Sequence, residues 1–354
     1  KGIFVMANLK VIGIAVVGAG ILAALAFTMQ PKKEEIATVS SDCSIELGDF
    51  DWNSAKLHSA IASVILEEGY GCKVNVTTGS TLPIMTALYD GQLDVVMEVW
   101  YDNIIDQFKP HEEEGKVRRV GVNTPDSGQG FYVDGATARK YNLKTIDDMK
   151  DAKIAALFKD PEEPSKGRMT SCISGWSCYT INMVKHNVYG LDQFYTNFDP
   201  GSSGALDAAI KGGFEKGTPV FTYYWEPTAL MGDVDLVKLE EPAFNADKWA
   251  EMMVVVNDIK ENGVEKMRPT VATAYASMEL PVGIDTRLAR EEPEVVEVLK
   301  NYPSSSAGVS KLLVHYLGEA DGEADVTARH FLKTSADWEN WVSSDVAKKV
   351  KASL

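Results

Sequence analysis

The chain has 354 residues, 45% of them hydrophobic, enough for one large core or two lobes of ordinary domain size and too apolar for a disordered chain. Its formal net charge of −16 leaves no basic footprint of the kind a nucleic-acid partner requires, so none is expected. Surface acids of this kind mostly keep a protein soluble and favour a cationic or zwitterionic ligand only weakly.

Lys10 precedes an uncharged run from Val11 to Met29, and the polar stretch QPKKEEIATVSSD follows. The run is longer than a usual signal-peptide core and about long enough to span a bilayer. Residues 1–30 are therefore read as a signal peptide or membrane anchor, and 31–42 as a linker. Ala24-Leu25-Ala26 offers a small-residue cleavage site, Met6 offers a start, and Cys43 lies too far along for a lipid anchor. Val17 to Gly20 mimics part of a dinucleotide-binding turn, but no strand and helix surround it. The body is expected in the periplasm or on the extracytoplasmic face of the inner membrane.

CSIELGDFDW reads as a strand running into a turn that Trp52 closes. Asn53 or Ser54 is placed to cap a helix, Leu57, Ile61, Val64 and Ile65 repeat at helical spacing, and Gly69 supplies a stop. CKVNVTT is a second strand, a helix follows around Leu82 to Leu88, and LDVVMEVW is a third strand ending on Trp100. Strands alternating with helices predict a largely parallel α/β sheet, whose carboxyl ends are where such sheets hold ligands.

A second unit is expected from Gly128. It contains GFYVD, the helix-like TIDDMKD, the loop SCISGWSC with Trp176, a helix from about Ser177 to Asn187, and the strand TPVFTYYW ending on Trp225. Glu241 to Ser277 reads as an inserted helical region. PVGIDTRLAREEPEVVEVLKNY then resumes the α/β rhythm, and Val326 to Leu354 reads as helical. The expected organisation is residues 43–127 in a first lobe, 128–278 in a second, and 279–354 returning to the first with C-terminal helices.

The four cysteines agree with export. Cys172 and Cys178 bracket a loop that a disulfide can close, and Cys43 and Cys72 sit ahead of two strand-like runs whose starts can be neighbours in a parallel sheet. A four-cysteine zinc site needs paired CxxC-like spacings, and none is present. The five histidines (His58, His111, His186, His315, His330) form no HExxH pair or metal spacing. No GxSxG nucleophile elbow appears, and GSSGAL at Gly201 reads as a loop into a helix. No enzyme, metal or cofactor is expected.

Trp52, Trp100 and Trp225 end strand-like runs, and Trp176 interrupts a short cysteine loop. A large ring at a strand mouth packs on one side only, so four such placements suggest a box. The chemistry that wants an indole box is a quaternary or methylated ammonium, whose charge lies under methyl groups and is met by π faces. Trp249, Trp338 and Trp341 show no such pattern.

The fragments WNSAKLHSAIASVILEEGYGCKV, YDGQLDVVMEVW, GQGFYVDGATARKYNLKTIDDMKD, CISGWSC and GTPVFTYYWEP, in that order, resemble the glycine betaine, proline betaine and choline substrate-binding proteins of ABC importers. The resemblance covers most of Cys43 to Trp225. It implies a two-lobed type II periplasmic binding fold that closes over a ligand and delivers it to an ABC permease, acting as a monomer. It makes Trp100, Trp176 and Trp225 an ammonium cage, with Trp52 matching the first-strand tryptophan of the choline-binding branch. Phe131 falls where those branches place a tyrosine, and would line the wall. The short disulfide loop would fix Trp176, and the amides of Ser177 and Cys178 would face a ligand carboxylate.

This chain departs from that pattern in places. Relatives carry a histidine shortly after the Trp100-like or Trp225-like position, where this chain reads WYDNIIDQF and WEPTALM. Glu98, two residues before Trp100, can share its face of the strand and would favour a net cation. Ser54 stands where the choline branch has an aspartate. Glycine betaine is therefore the expected ligand, with choline and trimethylamine N-oxide as alternatives. A membrane-tethered sensor on the same lobes is the remaining class.

Overall fold

The computed structural model describes Ser40 and residues 42–354. The signal or anchor segment expected over residues 1–30 lies outside the described residues. Among the described residues, no helix is long and apolar enough to cross a membrane.

The strands are β1 (Ser44–Phe50), β2 (Lys73–Gly79), β3 (Val95–Val96), β4 (Val117–Asp134), β5 (Gly167–Thr170), β6 (Tyr195–Phe198), β7 (Phe221–Glu226), β8 (Leu236–Lys238) and β9 (Met278–Asp285). They run in the order β2-β1-β3-β9-β4-β7-β5-β6, with β8 also on β4. β1 is parallel to β2 and β3, and β5 is parallel to β6 and β7. These two trios are the βα rhythm legible in the sequence, since parallel neighbours need a crossover helix between them. The sheet as a whole is mixed, because β9 is antiparallel to β3 and β4, and β4 is antiparallel to β7 and β8.

β4 joins the two halves. From Val117 to Ser127 it pairs with β9, through several register shifts, and from Gly128 to Val133 it pairs with β7. Bulges of this kind bend a strand and increase its twist, which lets one strand leave the first sheet and enter the second.

Local expectations around the first helix need correcting. Neither Asn53 nor Ser54 caps it: the helix spans Asn53–Val64 with Trp52 at the N-cap in extended conformation and no side-chain cap. Ser54 instead donates its hydroxyl to Glu98. Nor does Gly69 stop the helix, which continues through a wider turn, Ile65–Tyr70, and ends at Gly71 in the left-handed conformation. Gly69 permits close packing, since a Cβ there would meet Val346 Cγ1 at 2.7 Å. LDVVMEVW contributes only the two-residue β3, and GFYVD is the tail of the 18-residue β4. The inserted region carries the helix Ala246–Asn262, and the C-terminal stretch carries Ala324–Thr334 and Ser344–Ser353.

Both expected disulfides are present. Cys43 and Cys72 immediately precede the paired residues Ser44 and Lys73, so this bridge fastens the starts of adjacent parallel strands. One apolar cluster packs Ile45, Leu47, Leu57, Ile284 and Trp338 around the first sheet. The other runs from Phe50, Trp52 and Trp100 into Trp176, Trp225 and the second sheet.

Candidate functional site

The four tryptophans reach one place by four routes. Trp52 follows β1, Trp100 opens the turn after β3, Trp176 sits in the disulfide loop after β5, and Trp225 ends β7. β1 is parallel to β3 and β5 to β7, so each half contributes strand carboxyl ends. All four rings line one cavity, together with Thr81, Asn103, Ser177, Cys178 and Tyr223. All four are nearly fully buried, at 4 to 7% exposure.

The rings meet edge to face. Trp176 lies 5.0 Å from Trp52 and 5.1 Å from Trp225 between centroids, at interplanar angles of 69° and 85°. Such crossed pairs are the arrangement aromatic quadrupoles favour. Trp52 also stacks on Phe50 at 4.4 Å, and Trp225 lies 6.3 Å from Tyr223 and nearly parallel to it. The space left between them is about 20 Å³, room for about one water. A ligand larger than that enters only if the walls part.

Glu98 does not line this cavity. It is fully buried behind it, and its Oε1 accepts the indole N–H of Trp52 at 2.9 Å, that of Trp100 at 2.9 Å and the Ser54 hydroxyl at 3.2 Å. Its Oε2 has no partner. Burial pushes its pKa up, against the opposing pull of those three donors. The indole N–H of Trp176 goes to Asp51 Oδ1 at 2.7 Å. Asp51 lies just past β1, so this bond joins the two halves. Burial raises the Asp51 pKa, and the Trp176 bond opposes that rise.

The cysteine loop approaches the first half closely. Gly175 has φ +90°, and a Cβ there would come within 2.8 Å of Ser80 Oγ, so glycine suits both the turn and the contact. The Gly175 carbonyl accepts the Leu82 amide at 3.4 Å. Cys178 begins the helix Cys178–Val188, and Ser177 precedes it as its N-cap. First-turn helix amides have no intrahelical partner; here the Tyr179 amide donates to the Trp176 carbonyl at 3.2 Å, and Ser177 and Cys178 line the cavity.

Phe131 is not among the lining residues. It is buried on β4, with its ring centroid 6.5 Å from that of Phe221 and 5.0 Å from Lys185 Nζ. Lys185 is itself buried against Glu241 at 2.7 Å. The aromatic hydroxyl at the wall belongs to Tyr223, two residues before Trp225 on the same face of β7. Its hydroxyl donates to Gln129 Oε1 at 2.8 Å, and Gln129 Nε2 donates to Asn103 Oδ1 at 3.2 Å. The alternation in TYYW is the one sequence signal that could have found Tyr223; Thr81 and Asn103 had none.

A larger groove of about 1450 Å³ lies elsewhere, against the outer helical layer, and includes His58, Tyr302, His330 and Trp341. It is not at the strand carboxyl ends. Among the described residues no cluster of His, Cys, Asp and Glu is placed to hold a metal ion.

Two parallel trios joined through long strands, with a cavity at the carboxyl ends of both, define a two-lobed type II periplasmic binding protein fold. Solved structures agree. A glycine betaine and L-proline transporter binding protein from Borrelia burgdorferi superposes with TM-score 0.67 at 14% identity, covering 87% of this chain and 99% of that one. Lactococcal OpuAC, closed around glycine betaine, gives 0.62 at 16% identity, covering 85% and 100%. A choline-binding protein in complex with choline gives 0.65 at 18% identity, covering 88% and 97%.

The family OpuAC, described as the substrate binding domain of ABC-type glycine betaine transport systems, matches residues 44–334, and the chain belongs to it. The glycine betaine-binding periplasmic protein OusX of Dickeya dadantii is 29% identical over 161 residues, 44% of this chain and 48% of that protein. The glycine betaine/proline betaine-binding periplasmic protein of Escherichia coli is 27% identical over 214 residues, 56% of this chain and 64% of that one. The matched part thus spans about half of the first relative and under two thirds of the second. The family is one of binding domains, not of enzymes.

Proposed function

We propose that this protein is an extracytoplasmic receptor that encloses a quaternary ammonium osmolyte, glycine betaine first, in a cage of Trp52, Trp100, Trp176 and Trp225 and delivers it to an ABC permease. The observation that carries this is that four indoles from four separate chain segments line one cavity with Ser177 and Cys178. A methylated ammonium cannot donate hydrogen bonds and is recognised by π faces, each worth about 0.5 to 2 kcal/mol when desolvated. Three or four faces supply several kcal/mol before ordering costs, within reach of the roughly 8 kcal/mol of a micromolar complex.

In this reading residues 43–127 and 279–354 form one lobe and 128–278 the other, turning about the stretch where β4 passes between the sheets. The small cavity is then a shut state, and the walls part to admit ligand. The amides at Ser177 and Cys178 meet the betaine carboxylate. The glycine betaine-binding relatives, and the structural neighbours in complex with choline and with glycine betaine, support this class of substrate.

A second reading is a choline receptor. It is favoured by two carboxylates, Glu98 and Asp51, that take indole N–H groups at the cavity wall. A thermal-shift panel of glycine betaine, proline betaine, choline, carnitine and trimethylamine N-oxide tests both, because a ligand bound only to the folded state raises its apparent stability. The largest shift is expected from glycine betaine. No shift from any of the five would refute the ammonium reading.

A further inference from the structure

Three of the four indole N–H groups at the cavity are given to carboxylates. Glu98 Oε1 takes Trp52 and Trp100, each at 2.9 Å, and Asp51 Oδ1 takes Trp176 at 2.7 Å. Neither acid lines the shut cavity. Both act through the rings.

An indole that donates its N–H to an anion is held in one orientation, and the acceptor's negative charge raises electron density on the ring. The carboxylate also contributes directly to the potential over the ring face. Charges act strongly there, because the effective dielectric of a buried site lies far below that of water. Glu98 sits at 0% exposure with Oε2 unpartnered, and the three donors to its Oε1 favour the carboxylate against the burial that pushes its pKa up.

We infer that Glu98 and Asp51 are positioning residues that also set ligand rank: they make the tryptophan wall anionic and shift preference toward methylammonium ligands without a carboxylate of their own. A net cation gains from both acids. A zwitterion gains at its ammonium end and loses at its carboxylate. This rests on the ammonium reading above, and adds to it the residues that choose among ammonium ligands.

The test is calorimetric titration of choline, tetramethylammonium and glycine betaine into wild type, Glu98→Gln and Asp51→Asn. Each amide keeps an acceptor oxygen for the indoles and removes the charge. Choline and tetramethylammonium should weaken about tenfold in each variant and glycine betaine by threefold or less, so the ranking moves toward betaine. Equal losses for all three ligands would reduce the acids to ring supports, and unchanged affinities would remove them altogether; either result overturns the inference. Asp51, at the rim of the closed halves, provides the same readout if Glu98→Gln does not fold. Wild-type protein that binds none of the three overturns the ammonium reading itself, a result distinct from binding whose ranking the variants leave unchanged.

Discussion

In the first half a single buried carboxylate, Glu98, holds the indoles of both Trp52 and Trp100, whereas Trp176 of the second half is carried on a loop closed by Cys172 and Cys178 and takes its acceptor, Asp51, from across the cleft. The first pair therefore needs nothing from the other half to keep its orientation. The Trp176 bond exists only while the halves are together. The two disulfides divide in the same way, since Cys43–Cys72 fastens strand starts and Cys172–Cys178 shapes the wall, with Cys178 itself lining the cavity.

The disulfides give the largest expected contrast. The Cys43–Cys72 bridge spans 29 residues and the Cys172–Cys178 bridge 6. By chain entropy, serine replacement of the first pair should cost about 3.5 kcal/mol of stability and of the second about 2 kcal/mol. Affinity should follow the opposite order, being kept in the Cys43/Cys72 variant and weakened in the Cys172/Cys178 variant. Urea unfolding with calorimetry on both checks this, and equal affinity losses would erase the distinction.

Acid sharpens the comparison next. His58 in the first half is 1% exposed and shares a 2.9 Å hydrogen bond with Tyr302. Burial lowers its pKa to about 3, and burial lowers that of His186 in the second half to about 4. Each is held neutral in the fold and takes up a proton on unfolding below about 6.5. Their contribution is thus fully present above pH 6.5 and is lost as pH falls toward the folded values. Between pH 7.5 and 4.5 wild type should lose about 2 to 3 kcal/mol more than His58→Gln. Identical pH slopes in urea unfolding would show that His58 does not titrate this way.

The smallest effect is expected at Gly175. Alanine there meets both the positive φ and the Ser80 contact, and should cost about 1 kcal/mol of stability. Because that contact joins the halves, ligand affinity should fall as well. A variant with wild-type stability and affinity would place no constraint at this turn.

Much of this arrangement was legible in the sequence, for identifiable reasons. Helical spacing at Leu57, Ile61 and Val64 reports burial on one helix face, and all three are buried. Even cysteine count and strand-start positions pointed to the two bridges that are present. What was hidden depends on pairing across distance. Gly128 marks the start of the second unit, but that one continuous strand, β4, changes partner there is not visible locally, nor is the role of Glu98, which needs Trp52 and Ser54 brought from the turn and helix after β1. Asp51 was missed because its partner lies 125 residues away. Phe131 looked like a wall residue from its match to a tyrosine, but Tyr223 takes that side of the cavity from β7.

The central claim is that these indoles recognise a methylated ammonium. Titration calorimetry of glycine betaine into wild type and into Trp100→Ala, Trp176→Ala and Trp225→Ala tests it most directly. Micromolar binding is predicted for wild type, weakened by about 1 to 3 kcal/mol in each alanine variant, with phenylalanine at the same positions doing less harm. Unchanged affinity in all three alanine variants would contradict the account.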